Sequence, residues 1–255
     1  MRIDVLTLFP EIVEGVLEAS LLGKAIEEGL LEVALTNIRD FAADRHRTVD
    51  DAPYGGGPGM VMQCEPLARA VESLRGRSSL ERVILMSPRG RRLDQAIVRE
   101  LAEARDLVLV CGRYEGVDER VQEALCTDTL SIGDYVLSGG ELPALVVIEA
   151  VSRMLPGVVG DWESVTSDSF YDGILGPPQY TRPAVWRGMA APDVLREGHH
   201  AAIARWRRKE ALRITRAQRP DLLEQCSEED RALLDELERE ERRLELPEDR
   251  PAQRQ

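Results

Sequence analysis

The sequence predicts an α/β protein built on a largely parallel sheet. Short β-rich runs alternate with stretches of helical periodicity over the first 155 residues, and this alternation is typical of parallel α/β domains. The apolar run Leu107–Cys111 has the composition of a buried strand. Hydrophobic residues at 43% and charged residues at 31% place the chain among globular proteins. A chain of 255 residues is long enough for one large domain or two modest ones.

The elements follow from local residue patterns. Pro10 suits the first position of a helix, and Ile12, Val13, Val16 and Leu17 continue it at helical spacing. In chain order, the predicted segments are strand Ile3–Phe9, the helix from Pro10, strand Leu31–Ile38, helix Glu65–Leu74, strand Arg82–Met86, helix Asp94–Ala104, strand Leu107–Cys111, helix Asp118–Leu125, strand Thr129–Ile132 and helix Leu142–Leu155.

The pattern breaks down after Gly157, where Gly, Pro, Ser and Asp dominate without a sustained period. Further on, Ala201–Arg216 is a basic helix carrying Trp206, for which a core position is favoured. Ser227 with Asp230 predicts a capped helix over 227–246. We therefore expect two domains. Their predicted ranges are 1–158 for a ligand-binding domain, 159–176 for a flexible linker, 177–246 for a helical domain and 247–255 for a disordered tail.

The net charge is −13 and the pI is about 4.9, but the charge is unevenly spread. Residues 173–220 hold 10 basic and 3 acidic side chains. Such an island is what a local polyanion site looks like, whatever the charge of the whole chain. An ordinary Arg-rich helix on a solvated surface is the alternative interpretation.

Several protein classes are excluded by what the sequence lacks. The N-terminus has no cationic region followed by a long apolar stretch, so no signal peptide is expected. The most apolar run, Leu142–Leu155, is too short to span a bilayer, so no membrane partner is expected. The four cysteines are far apart and form no C-x-x-C pair. We expect a cytoplasmic, reducing location.

Three glycine-rich segments suggest a ligand site. They are YGGGPGM (Tyr54–Met60), GRYEGVD (Gly112–Asp118) and IGDYVLSGGE (Ile132–Glu141), and the last two follow predicted strands. Glycines past strand ends let a ligand approach the backbone closely. No lysine lies near these glycines, which excludes a Walker-type phosphate loop. Loops without cationic partners suit a nucleoside without phosphates, such as S-adenosylmethionine (AdoMet), although each loop alone would more often be a tight turn.

Longer motifs resemble one family. The motifs are LTLFPE (Leu6–Glu11), the segment Ile38–Met60 containing HRTVDD and PYGGGPGM, CGRYEGVDERV (Cys111–Val121), SIGDYVLSGGELPA (Ser131–Ala144), SRMLPGV (Ser152–Val158), DSF (Asp168–Phe170) and YTRP (Tyr180–Pro183). In this order, over roughly Arg2–Leu223, they resemble the bacterial TrmD family of tRNA (guanine-N(1)-)-methyltransferases in the SPOUT superfamily.

The resemblance implies a SPOUT-type parallel sheet with a C-terminal trefoil knot, an exception to the rule against knots, followed by a smaller all-helical domain. It implies a homodimer whose active sites are shared between subunits. The reaction would move a methyl group from AdoMet to N(1) of the tRNA guanosine immediately 3′ of the anticodon. Activity in the family depends on Mg²⁺, but the sequence shows no dedicated metal site.

The family's site residues carry over by motif. The general base falls on Asp168, and the arginine that stabilises charge on the guanine oxygen falls on Arg153. The expected AdoMet-binding residues are Pro88, Gly112, Tyr114, Glu115, Gly116, Ile132, Gly133, Asp134, Tyr135, Val136, Leu137, Gly139, Gly140 and Pro143. The expected RNA-binding residues are His46, Asp50, Arg182, Arg205, Arg207, Arg208 and Lys209.

Alternatives remain at this point. The chain could be a SPOUT methyltransferase that acts on another RNA base, or an RNA-binding protein that keeps the pocket without the chemistry. Ser167 stands where many relatives carry an acid, and an acid is also expected near Gly176. These departures leave linker ordering and AdoMet affinity open, and they leave Asp168 and Arg153 intact.

Overall fold

The computed structural model describes residues 1–245, which form two compact units, Met1–Trp162 and a second unit that begins at Glu163. The helices are α1 (Pro10–Leu17), α2 (Ser20–Glu27), α3 (Cys64–Glu72), α4 (Gln95–Ala102), α5 (Glu119–Leu125), α6 (Glu141–Ser152), α7 (Trp162–Thr166), α8 (His200–Gln218) and α9 (Glu228–Glu245). The strands are β1 (Arg2–Thr7), β2 (Glu32–Asn37), β3 (Asp50–Asp51), β4 (Val61–Met62), β5 (Val83–Arg92), β6 (Asp106–Cys111), β7 (Asp128–Ser131), β8 (Val185–Trp186) and β9 (Met189–Ala190). Short 3₁₀ helices cover Ile38–Phe41, Asp193–Leu195 and Pro220–Gln225.

A five-stranded parallel sheet organises the first unit, in the order β2-β1-β6-β5-β7. The predicted parallel α/β class is therefore confirmed. Strand β6 lies at the centre and every one of its residues is buried, as expected for a strand covered on both faces.

Alternate residues of the central strands enter two separate cores. Leu107, Leu109 and Cys111 pack with α1, α2, α4 and α6, while Val108 and Val110 pack with α3 and α5 on the other face. The period of two in side-chain direction places consecutive apolar residues on opposite faces of the sheet. This double covering holds the carboxyl ends of β6 and β7 at one edge of the sheet, where two of the three glycine-rich segments begin.

The second unit has a small core of its own. Ile174, Ala211, Leu212 and Leu237 are buried together, and Leu223, Cys226, Leu233 and Leu234 pack against them. The unit is mostly helical, but β8 and β9 form an antiparallel hairpin. The expectation of an all-helical domain is wrong in this detail, because the hairpin strands are only two residues long and leave no periodic signal.

The segment predicted as a flexible linker contains regular structure. Helix α7 lies within it, and Ile174 reaches the core of the second unit. The amide of Gly176 donates to Ser169 Oγ at 2.8 Å, which closes the loop between them. The predicted tail, 247–255, lies outside the described residues. The predicted cap of α9 is confirmed, since the Asp230 amide donates to Ser227 Oγ at 3.1 Å.

Candidate cofactor pocket and active site

A cavity of about 520 Å³ lies at the carboxyl ends of β6 and β7, beside the middle of β5. Its walls come from Ser87–Arg89 within β5, from 112–117 after β6 and from 131–140 after β7. The volume falls in the range of small-molecule sites, and the position is where parallel α/β proteins bind ligands. The cavity can therefore receive a molecule of nucleoside size.

Thirteen of the fourteen residues expected to bind AdoMet line this cavity: Pro88, Gly112, Tyr114, Glu115, Gly116, Ile132, Gly133, Tyr135, Val136, Leu137, Gly139, Gly140 and Pro143. Asp134 is exposed and does not line it. The motif places Asp134 in the correct loop, but the neighbouring side chain of Tyr135 lies on the wall instead.

Two glycine-rich loops touch each other through their backbones. The amide of Gly140 donates to the Gly112 carbonyl at 2.9 Å. A Cβ atom at Gly140 would lie 2.7 Å from the Cα of Cys111 and 3.0 Å from the Gly112 nitrogen, closer than real Cβ atoms come. Glycine is therefore required here by the approach of the chain, as expected for a loop that brings backbone groups to a ligand.

Arg113 is a cavity residue that the sequence motifs do not single out. Its Nε lies 3.0 Å from a carboxylate oxygen of Glu141, whose side chain is 1% exposed. The hydroxyl of Thr7 donates to the same carboxylate at 2.7 Å, and the Arg113 guanidinium lies 4.5 Å from the centre of the Phe9 ring. A charged residue two positions after a buried strand, next to a glycine that lines the cavity, is the signal that could have revealed it.

The arginines that line the cavity, Arg89 and Arg113, are paired with carboxylates. Arg89 donates to Glu119 at 2.6 Å. Hydrogen bonds from Arg120 hold the pKa of Asp118 well below its usual range. Burial raises the pKa of the Cys111 thiol, which keeps it protonated. The cavity therefore has polar and apolar walls without the cluster of unpaired cations that a polyphosphate requires.

The two candidate catalytic residues belong to different units. Arg153 is the residue directly after helix α6 and is half-buried. Asp168 is exposed, two residues after α7, and its amide donates to the Val165 carbonyl at 3.3 Å. Tyr171 closes a turn back to the Asp168 carbonyl at 3.3 Å. The Arg153 guanidinium and the Asp168 carboxylate are therefore both carried by residues just after a helix, whose amides bond back to it.

His46 and Asp50 lie in the segment between the first 3₁₀ helix and β4. His46 is exposed, and its amide donates to Asp44 at 3.0 Å. Thr48 donates to Asp44 through both its amide and its hydroxyl, and these bonds lower the pKa of the Asp44 carboxyl. The segment around His46 is thus ordered by Asp44, which presents the imidazole to solvent.

The basic helix α8 packs on the acidic helix α9. Arg205 and Lys209 both donate to Glu236, and Arg208 donates to Asp230 through two bonds of 2.7 Å. The Arg208 guanidinium lowers the pKa of the Asp230 carboxyl. Arg205, Arg208 and Lys209 therefore already have carboxylate partners, whereas Arg182 and Arg207 are exposed and form no ion pair within residues 1–245. Trp206 is half-buried, and its ring centroid lies 6.1 Å from that of Tyr180. It is not part of the core around Leu212, so the expectation of a core position is wrong.

Metal-ligand clusters and membrane-spanning helices were sought within residues 1–245. That part of the chain holds no group of three or more His, Cys, Asp or Glu residues that could ligate a metal. Within it, no helix combines the length and the apolarity needed to cross a bilayer.

The fold and the pocket define an α/β protein with a ligand site made by glycine-rich loops at the carboxyl ends of parallel strands. The family model described as tRNA (Guanine-1)-methyltransferase TrmD matches residues 1–225. The chain belongs to this family, so the resemblance inferred from the motifs is confirmed.

Curated relatives cover nearly the same length. The tRNA (guanine-N(1)-)-methyltransferase of Geobacter sulfurreducens is 54% identical over 242 residues, which is 94% of this chain and 99% of that protein. The protein of the same name from Brevibacillus brevis is 56% identical over 242 residues, with 94% and 99% covered. That of Moorella thermoacetica is 55% identical over 245 residues, with 94% and 98% covered.

Proposed function

We propose that this chain is an AdoMet-dependent tRNA (guanine-N(1)-)-methyltransferase that acts on the guanosine immediately 3′ of the anticodon. The observation that carries the proposal is the cavity at the carboxyl ends of β6 and β7, which gathers thirteen of the fourteen expected AdoMet-binding residues in a chain of the TrmD family. When bound there, AdoMet supplies a methyl group that its sulfonium already activates.

The residues of the cavity fit that ligand. Backbone groups of the two touching glycine loops hydrogen-bond the adenosine moiety in this proposal, which the close approach of Gly140 to Cys111 supports because no side chain fits between them. Tyr114, Tyr135 and Leu137 add partly exposed apolar surface to the walls. We assign AdoMet binding to these loops.

Asp168 is the proposed general base. Guanine N(1) carries a proton and must lose it before its electron pair can form the bond to the methyl carbon. A carboxylate is a weak base for an acid as weak as guanine N(1), so charge stabilisation must accompany proton transfer. Asp168 takes the N(1) proton, and the electron pair of the breaking carbon–sulfur bond stays on sulfur.

Arg153 is the proposed partner of this proton transfer. Its guanidinium donates to the guanine oxygen, where negative charge develops as N(1) is deprotonated. A positioned cation at a developing oxyanion is typically worth a rate factor of about 10²–10³. No covalent enzyme intermediate is needed.

The fold expectations that follow from the family remain part of the proposal. We propose the trefoil knot of the SPOUT superfamily, and the close passage of 139–140 against Cys111 and Gly112 supports it. We also propose a homodimer that shares its active sites. Exposed apolar residues on two helices that pack together support the dimer: Ile12 and Val16 on α1, and Leu142 and Val146 on α6.

The remaining expectations concern RNA and Mg²⁺. We propose that His46, Asp50, Arg182 and Arg207 contact the tRNA. A magnesium requirement stays a proposal without a site, because the part of the chain that the structure describes offers no cluster of ligands. No step is therefore assigned to the ion. A cytoplasmic location is likewise proposed from the family.

The experiment compares D168N, R153A and wild-type protein in methyl transfer from labelled AdoMet to tRNA. D168N should lose about 10²-fold or more of the rate, and R153A should lose a similar factor, while AdoMet and tRNA affinities stay near wild type. S167A and R75A are matched controls, since Ser167 adjoins Asp168 and Arg75 is an exposed arginine paired only with Glu72 among its described contacts. Retained turnover in D168N would remove Asp168 as the base.

A further inference from the structure

Residues 173–220, which hold 10 basic side chains, are here called the basic island. Carboxylates of the acidic helix α9 and of nearby residues form ion pairs with most of these side chains. Seven of its ten basic side chains have an ion-pair partner: Arg196 with Asp193, Arg205 with Glu236, Arg208 with Asp230, Lys209 with Glu236 and Glu240, Arg213 with Glu210, Arg216 with Glu241, and Arg219 with Asp221. A cation held by a carboxylate must give up that pair to meet a phosphate, which reduces its net contribution to RNA affinity.

Three arginines of the island differ from the rest. Arg182, Arg187 and Arg207 are exposed, and none of them has an acidic partner among residues 1–245. Their charges are therefore available to a polyanion without breaking an existing pair.

One of these arginines, Arg187, lies against an exposed aromatic ring. Trp186 ends strand β8 and is 54% exposed, and the Arg187 guanidinium lies 4.7 Å from the centre of its ring. Val185 and Met189 of the same hairpin are also exposed, at 54% and 60%. Exposed aromatic rings beside arginines are the usual platform on which proteins stack single-stranded bases.

The other two arginines, Arg182 and Arg207, lie beside a second aromatic contact. Tyr180, two residues before Arg182, packs its ring 6.1 Å from that of Trp206, the residue directly before Arg207. Arg182 and Arg207 are thus brought to the same region of the second unit by this aromatic contact.

We propose that Arg182, Trp186, Arg187 and Arg207 form the tRNA-contacting surface of the second unit, here called the hairpin surface. Trp186 stacks on an unpaired nucleotide of the tRNA, and the three arginines contact adjacent phosphates. Arg205, Arg208 and Lys209, by contrast, hold α9 against α8. This assignment rests on the proposed function, because tRNA is the occupant, and it moves the contact away from the ion-paired face of α8.

The first test uses the salt dependence of tRNA affinity in the full-length chain. R187A/R207A removes two unpaired arginines, and R205A/R213A removes two paired ones from the same island. The slope of log affinity against log salt should flatten by about 0.7–0.9 for each lost phosphate contact in R187A/R207A, and it should change less in R205A/R213A. An equal or larger flattening in R205A/R213A, or an unchanged slope in R187A/R207A, overturns the assignment.

The second test isolates stacking. W186A should weaken tRNA binding by about five-fold or more, since stacking of one base on an aromatic ring has this magnitude. W186F keeps a ring and should bind within about two-fold of wild type on the same scale. V185A, an equally exposed neighbour, is the matched control. Equal affinities of W186A and V185A overturn the stacking role.

A third measurement separates this inference from the proposed function and from self-association. AdoMet affinity and oligomeric state are recorded for every variant, and both should match wild type. If wild-type protein methylates tRNA and both W186A and R187A/R207A bind tRNA normally, the hairpin-surface proposal is overturned while the proposed function stands. Loss of dimer in W186A with unchanged tRNA affinity would assign the surface to a second copy of the chain. Failure of wild-type protein to bind tRNA would overturn both proposals.

Discussion

The guanidinium of Arg113 and the carboxylate of Glu141 form an ion pair at 3.0 Å that joins the loop after β6 to the start of α6. Glu141 is almost fully buried, and Thr7 from β1 donates to it as well. Three parts of the chain that are distant in sequence therefore meet at one carboxylate. Because Arg113 also lines the cavity, this pair links the stability of the first unit to the shape of its ligand site.

Removing Arg113 should destabilise the protein strongly. R113A leaves a buried carboxylate without its cation, a change that typically costs about 3–5 kcal/mol. Denaturant unfolding of R113A should show this loss. The double variant R113M/E141L, which removes both charges, should be more stable than R113M. As a control, R89A breaks the exposed pair with Glu119 and should cost less than about 1 kcal/mol. A cost for R113A as small as that for R89A would show that the pair is unimportant.

Adding one methyl group at Gly140 should abolish AdoMet binding. The new Cβ would lie 2.7 Å from the Cα of Cys111, and backbone atoms on both sides leave no flexible side chain to move. Calorimetric titration of G140A with AdoMet should therefore show at least a large loss of affinity. G160A is the matched control, because no atom lies within 4 Å of the Cβ position at Gly160. Near-normal AdoMet affinity in G140A would contradict the described approach of the two loops.

The contribution of Glu236 to stability should depend on pH. Hydrogen bonds from Arg205 and then Lys209 lower the pKa of the Glu236 carboxyl from 4.5 to about 2. A carboxylate with a lowered pKa in the folded state stabilises the fold above its unfolded pKa and loses this effect as pH falls through the folded value. The stability difference between wild type and E236Q should thus be constant above about pH 5 and shrink between 4.5 and 2.

Thermal unfolding of both proteins across that pH range provides the measurement. E238Q, on the same helix with only an exposed contact to Arg242, should differ little from wild type at any pH. A wild-type advantage over E236Q that persists unchanged at pH 2 would show that the pairs with α8 do not hold Glu236 ionised.

The exposed apolar face of α1 and α6 should mediate dimerisation. V146E places a charge among residues that are exposed in the single chain, 45% for Val146 and 53% for Leu142, and a buried unpaired charge is costly at an interface. Sedimentation velocity should show wild-type dimers and V146E monomers. V185E makes the same change at another exposed valine, on the second unit, and should stay dimeric. A dimeric V146E would place the interface elsewhere.

Most of the sheet was predictable because buried strands have a local signature. The uninterrupted run of β6 and the glycines after it were sufficient to locate the pocket loops. The sequence missed α2, where Gly23 interrupts the helical pattern, and the continuation of β5 through Ser87–Gly90, where Pro88 and Gly90 are unfavourable in strands.

The tertiary pairing of charges could not be predicted from the sequence. Arg205 and Arg208 carry the same local signal as Arg207, a basic residue on an amphipathic helix. Only the fold reveals that the carboxylates of Glu236 and Asp230, 22 to 31 residues away, reach the first two, while Arg207 has no acidic partner among residues 1–245. The pairing of Arg113 was missed for the same reason, since its partner Glu141 lies 28 residues further along the chain.

The most direct test of the central claim is methyl transfer from labelled AdoMet to two tRNA transcripts that differ only in guanosine or adenosine immediately 3′ of the anticodon. Label should appear on the guanosine transcript alone, and it should map to N(1). Equal label on both transcripts would retain a methyltransferase but contradict the target nucleotide. No label on either transcript, with tRNA still bound, would contradict the catalytic role itself.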